Sequence, residues 1–189
     1  MIKRIVHLAF LAGIIFTPQT LASSLPYDEW RQKMLKQDLT WLGEVDEEQV
    51  QALTDYRSGR LFLIVAFAGY LGCQLPVVNK LLQTGLDANT ELPRFGGTLA
   101  SLVVAVKGEA DLACMQSLIE YGLDVSLYFP HQRISLLNQA IVNEQTEIIS
   151  VLCEKGVDPY FVDDTQMTAF DWLEITKMPK TSLQGCLSE

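Results

Sequence analysis

Ser135-Leu136-Leu137-Asn138-Gln139-Ala140-Ile141 opens the stretch that decides the fold, which runs on through Ile148-Ile149-Ser150-Val151-Leu152 to Gly156-Val157-Asp158. A hydroxyl residue stands before an apolar pair, a polar residue takes the fourth place, a second apolar segment follows, and Gly-x-Asp closes the unit. The same opening returns as Thr168-Ala169-Phe170-Asp171-Trp172, 33 residues after Ser135. Working backwards, Gly156-Val157-Asp158 has counterparts in Gly122-Leu123-Asp124 and Gly85-Leu86-Asp87. These follow Val151-Leu-Cys-Glu-Lys155, Ser117-Leu-Ile-Glu-Tyr121 and Lys80-Leu-Leu-Gln-Thr84, which read as the last turns of helices that glycine ends by taking a left-handed backbone.

A repeated helix pair of about 33 residues with this opening resembles the ankyrin-repeat family. In that family Thr-Pro-Leu-His opens the first helix; here its places are held by Ser135, Leu136, Leu137 and Asn138. Leu61, Thr98 and Ser135 are spaced by 37, as are Gly85 and Gly122, so two repeats are four residues longer than the standard. Three of the extra residues are expected in the turn between helices and one in the following loop. The resemblance implies an all-α solenoid of helix pairs, with repeats at 61–97, 98–134 and 135–167 and a truncated one at 168–189. As in the family, the surface would bind a protein, without catalysis or cofactor.

Residues 1–22 read as a cleaved secretory signal: Lys3 and Arg4 precede an apolar run from Ile5 to Phe16, and Pro18 precedes the small residues around Ala22. A membrane anchor is the competing reading, but the run is short of the about 20 residues a span needs. Leu61 to Ala68 is the next most apolar stretch; Gly69, Gly72, Gln74 and Pro76 interrupt it, which fits a buried helix. Residues 23–60 are expected to form an N-terminal cap of two helices, Tyr27–Leu42 and Asp46–Tyr56, covering the apolar end that a stack of repeats exposes.

The chain carries 14 basic and 23 acidic residues. Loss of Lys3 and Arg4 leaves 12 against 23, a formal charge of −11. That balance argues against nucleic acid, whose phosphates require a basic surface. It admits a basic protein partner, and equally it suits an exported protein that must stay soluble.

Beyond the signal segment the single histidine is His131, so no histidine pair exists to build a zinc site, and no glycine-rich phosphate loop or nucleophile elbow occurs. No catalytic residue, metal or cofactor is expected. Thr98 with Ser101, Ser135 with Asn138 and Thr168 with Asp171 read as reciprocal helix caps. Cys73, Cys114, Cys153 and Cys186 are an even count in a chain read as exported. They are either small buried apolar residues or two disulfides, in which case the repeat frame favours Cys73 with Cys114 and Cys153 with Cys186. Trp172 is expected to close the stack against repeat three.

The loops after each Gly-x-Asp are where ankyrin proteins bind partners. Here they carry Arg94 and Phe95, then Tyr128, Phe129, His131 and Arg133, then Tyr160, Phe161, Asp163 and Asp164. Aromatics at corresponding places in successive loops are the interface candidates, since Tyr and Phe bury much area with few rotors. A small, acidic, exported ankyrin protein also resembles the immunity proteins that guard the periplasm against antibacterial effector toxins. An envelope stress or redox accessory scaffold is the alternative. The unbound chain is expected to be a monomer.

Overall fold

The computed structural model describes residues 32–33, 36, 38, 40, 43, 46–47, 72–91, 97–106, 108, 111–128 and 133–187. The expected signal segment at 1–22, the apolar helix at 61–68 and all but scattered residues of the cap at 23–60 lie outside these. Within the cap, the Lys36 N–H donates to the Gln32 carbonyl at 3.1 Å, one helical turn inside the helix expected from Tyr27.

The regular elements among the described residues are all helical, with no strand among them. In chain order the elements are α1 (Leu75–Gln83), α2 (Leu99–Ala105), α3 (Asp111–Glu120), α4 (Leu136–Val142), α5 (Thr146–Glu154), α6 (Ala169–Thr176) and a 3₁₀ helix (Lys180–Leu187). Contacts run along two rows: α2, α4 and α6 touch in sequence, as do α1, α3, α5 and the 3₁₀ helix, and α2–α3 and α4–α5 pair across the rows. The apolar faces meet between the rows. Leu81, Met115, Leu118, Leu137, Ile141, Ile149, Leu152, Leu173 and Leu183 are fully buried there. Val77, Val78, Leu81 and Leu82 form the buried stripe of α1, whose Pro76 sits in the first turn where a missing N–H costs little.

The recurring Gly-x-Asp is a two-part device. Gly85, Gly122 and Gly156 have φ of +102°, +90° and +79°. Beyond each glycine the next residue's N–H reaches back five places: Leu86 to Leu81, Leu123 to Leu118 and Val157 to Leu152, at 2.9, 3.0 and 3.3 Å. Each glycine's own N–H bonds the carbonyl three places back, which together satisfies the carbonyls a helix end leaves open. The aspartate then turns the chain. Oδ1 of Asp87, Asp124 and Asp158 accepts the N–H two residues on, from Asn89, Ser126 and Tyr160, at 2.8, 2.9 and 2.8 Å. Neighbouring units are also laced by side chains. Asn89 Nδ2 donates to the Gly122 carbonyl at 2.9 Å while its Oδ1 accepts the Asp124 N–H at 2.7 Å, and Asn143 Nδ2 donates to the Val104 carbonyl at 2.7 Å.

The helix openings are capped in three different ways. Thr168 Oγ1 accepts the Asp171 N–H at 3.4 Å and Asp171 Oδ2 accepts the Thr168 N–H at 2.7 Å, the reciprocal cap expected. At α2 the Thr98 N–H donates to Ser101 Oγ at 3.3 Å. The pair at α4 is not reciprocal. Ser135 Oγ accepts the Asn138 N–H at 3.2 Å, but the Asn138 side chain turns away to donate to Asp163 at 2.8 Å, because a buried carboxylate is the stronger acceptor. Thr168→Ala, which strips the cap from α6, is expected to cost about 1 kcal/mol, read as a shift of the urea midpoint at unchanged slope.

The extra length of the second unit divides between turn, helix and the following loop, where one added residue lies as expected. Five residues separate α2 from α3 where three separate α4 from α5, and α3 has 10 residues where α5 has 9. Both expected disulfides form, Cys73–Cys114 and Cys153–Cys186, with Cα–Cα distances of 6.3 and 4.3 Å. The tail after α6 is more ordered than a truncated repeat implies. Its 3₁₀ helix packs on α5 in the position an outer helix would take, buries Leu183 and is held by Cys186. Trp172 packs against the core as expected, partly buried. No helix of the described residues is long and apolar enough to cross a membrane.

Candidate partner-binding surface

Of the loop residues singled out above, Tyr128, Arg133, Tyr160, Phe161, Asp163 and Asp164 fall in the described part; Arg94, Phe95, Phe129 and His131 lie outside it. The loop after α5 carries the densest group. Its turn is fixed by Asp158, which accepts the Tyr160 N–H, and the chain then runs through Tyr160, Phe161 and Val162 with 62%, 38% and 52% of their surfaces exposed. Three consecutive large apolar side chains left in water form a contiguous patch of the kind that marks an interaction site.

The loop is braced from both sides. The Tyr160 ring lies 5.1 Å from Phe170 of α6 at 36°, and Phe161 lies 5.2 Å from Tyr128 of the preceding loop at 59°. Tyr128 Oη accepts the Asp164 N–H at 3.1 Å. Burial, followed by the nearby Asp164, pushes the Tyr128 hydroxyl pKa up, so it stays a neutral phenol in that role. Aromatics from successive loops thus form one braced surface with Asp158 and Asp164 exposed along it and Arg133 exposed in the preceding loop.

Asp163 does not belong to that surface. It is 2% exposed, and all its acceptor capacity is spent inward. Oδ2 takes the Ser135 N–H at 3.1 Å and Asn138 Nδ2 at 2.8 Å, and Oδ1 takes the Thr165 N–H at 2.9 Å and the Thr165 hydroxyl. Burial raises its pKa, but the bonds from Thr165, Asn138 and Ser135 outweigh it and leave the carboxyl below its usual value. The aspartate expected to meet a partner instead locks the start of α4 to the loop before α6. Val162 is the surface residue the sequence reading passed over; its exposure depends on where the loop turns.

A second polar cluster lies where the turns between the rows meet. Asp111, 4% exposed at the start of α3, accepts the Gly108 N–H at 2.5 Å, Gln145 Nε2 at 3.3 Å and the Cys73 N–H at 3.5 Å. Burial raises its carboxyl pKa above the ordinary value despite those bonds. Gln145 is itself buried, and its Oε1 has no hydrogen-bond partner among the described residues. Among the described residues no group of three His, Cys, Asp or Glu side chains is placed to hold a metal ion. No protein-family model, curated protein or solved structure matches the chain.

Proposed function

We propose that the chain is an exported ankyrin-repeat protein that binds a basic protein through the loop surface around Tyr160, without catalysis or cofactor. The carrying observation is the exposed run Tyr160-Phe161-Val162, braced by Tyr128 and Phe170 and bordered by Asp158 and Asp164. Rigid aromatics with their rotamers already fixed lose little entropy when covered. The solenoid reading is supported by the three Gly-x-Asp devices and by the two rows of contacts between successive units. Two disulfides fit an oxidising compartment outside the cytoplasm, and with the signal-like residues 1–22 they support a periplasmic location.

The partner class we favour is an antibacterial effector, which the protein would neutralise as an immunity protein; the acidic formal charge, −11 once Lys3 and Arg4 are lost, suits capture of a basic toxin. A redox role has less support at Cys73–Cys114, where both cysteines are buried, 5% and 0% exposed, and out of reach of an exchanging thiol. The test places a photo-crosslinking amino acid at Tyr160 and, on helix α3, at the exposed Gln116 in cells producing the full chain. One discrete adduct with a basic protein from position 160, none from 116, and sensitivity of a deletion strain to its siblings are expected. Identical adducts from both positions, or no adduct at 160, would overturn the reading.

A further inference from the structure

The cluster around Asp111 opens into a cleft between the turn that precedes α3 and the turn that precedes α5. Asp111, Glu144, Gln145 and Glu147 line it, with Leu112 and Ile148 as its apolar walls. Three features set this cleft apart from an ordinary acidic surface.

The first is the unpartnered acceptor. Gln145 is 7% exposed, its Nε2 is engaged by Asp111, and its Oε1 is a buried oxygen with no donor among the described residues. Buried acceptors left unmatched are costly, so this oxygen calls for an N–H or O–H from outside the described residues. The second is charge. Among the described residues no lysine or arginine pairs with Asp111, Glu144 or Glu147. An acceptor beside three uncompensated carboxylates selects a cationic donor over a neutral one. The third is backbone cost. Glu144 has φ of +54°, a conformation that glycine or asparagine adopts more readily. A carboxylate therefore stands at the cleft mouth where the turn alone would favour another residue.

We infer that this cleft receives an arginine side chain of the protein partner, its guanidinium reaching Gln145 Oε1 and the surrounding carboxylates and its methylene stem lying between Leu112 and Ile148. The planar guanidinium has five donors in a fork, enough to serve the amide oxygen and a carboxylate together, and it tolerates burial better than an ammonium. This rests on the partner-binding reading, but it adds a second contact region, on helix turns and away from the aromatic loop.

The probe is a blocked Gly-Arg-Gly peptide, with Gly-citrulline-Gly as its neutral isostere, titrated into the full chain. The readout is the Gln145 side-chain amide and the Asp111 carboxyl in NMR spectra. Saturable shifts with the arginine peptide are expected, with binding about tenfold weaker for citrulline and again for the Glu144→Gln, Glu147→Gln double variant. Both glutamates are exposed, so that variant folds, and Glu144→Gly should raise the melting temperature while weakening the peptide. Equal binding of the two peptides, or binding that survives the double variant, would overturn the inference. So would binding that emerges only in Lys107→Ala, because the chain's own lysine would then be the occupant. Peptide binding is read without the partner, so its failure beside intact crosslinking at Tyr160 removes the cleft alone. Peptide binding with no crosslink removes the loop surface instead.

Discussion

Asp163→Ala is expected to destabilise the chain by about 3 kcal/mol, read from urea unfolding. The substitution removes the acceptor of the Ser135 N–H and of the Thr165 N–H in one step, and leaves Asn138 Nδ2, at a buried site, with the Met167 carbonyl at 3.3 Å alone. Asparagine is not a rescue. Both carboxylate oxygens accept from N–H donors, so an amide must aim its NH2 at one set of them, and Asp163→Asn should lose about 2 kcal/mol. A loss below about 1 kcal/mol for the alanine variant would mean that water enters and replaces the carboxylate.

The pH dependence follows from the same site. The folded carboxyl titrates below its unfolded value of about 3.9, so the unfolded chain takes up the proton first. The stabilisation is therefore complete at neutral pH, persists down to about pH 5, and drains away as pH falls through the folded value. In Asp163→Ala that part of the acid-unfolding slope should vanish.

Removing the disulfides is the second large effect. Cys73–Cys114 and Cys153–Cys186 close loops with sequence separations of 41 and 33. Loop-closure entropy gives about 4 kcal/mol for each, and single domains of this size are stable by about 5–15 kcal/mol in total. Cys73→Ser with Cys114→Ser, and Cys153→Ser with Cys186→Ser, should each remain folded at reduced stability. All four changes together, or thorough reduction, should leave the chain at the edge of unfolding. If the quadruple variant matched the unaltered chain in urea, the bonds would be ornaments rather than staples.

Much of the helical frame could be read from residues alone, because its signals are local. Glycines at the ends of α1, α3 and α5 announce their left-handed backbones, Pro76 marks a first turn, and the stripe of Val77, Val78, Leu81 and Leu82 reports which face is buried. The disulfide pairing was accessible through the repeat frame, which puts Cys73 near the start of one second helix and Cys114 about one turn further into the next, and so leaves Cys153 to pair with Cys186 in the tail. What the sequence concealed depends on contacts between distant residues. Asn138 looks like a capping partner of Ser135 until Asp163 arrives from 25 residues away to claim its amide. Asp163 and Asp164 are neighbours of the same type, yet one is buried and the other exposed, and only the turn at Asp158 and the brace from Tyr128 decide which. The aspartate of Gly-x-Asp was legible as a repeat without its purpose, since an Asx turn is visible only once the following N–H is placed. The cleft at Gln145 gave no signal at all: its residues come from two turns, and a glutamine carries no motif.

The two disulfides divide the described chain into two closed blocks, 73–114 and 153–186, with nothing covalent but the backbone between them. The seam is held by contacts of α2 with α4 and α3 with α5, by the Asn143 bond to Val104 and by the Gln145 bond to Asp111. Among the described residues, pulling at the two outer cysteines leaves one place to yield. The seam would part first, each block would then lengthen only by the residues outside its closed loop, and α4, which lies wholly between the blocks, would be the helix to unravel. The tail cannot peel away from α5 ahead of that event. The polypeptide is thus mechanically polarised, with a weak joint set between two locked segments.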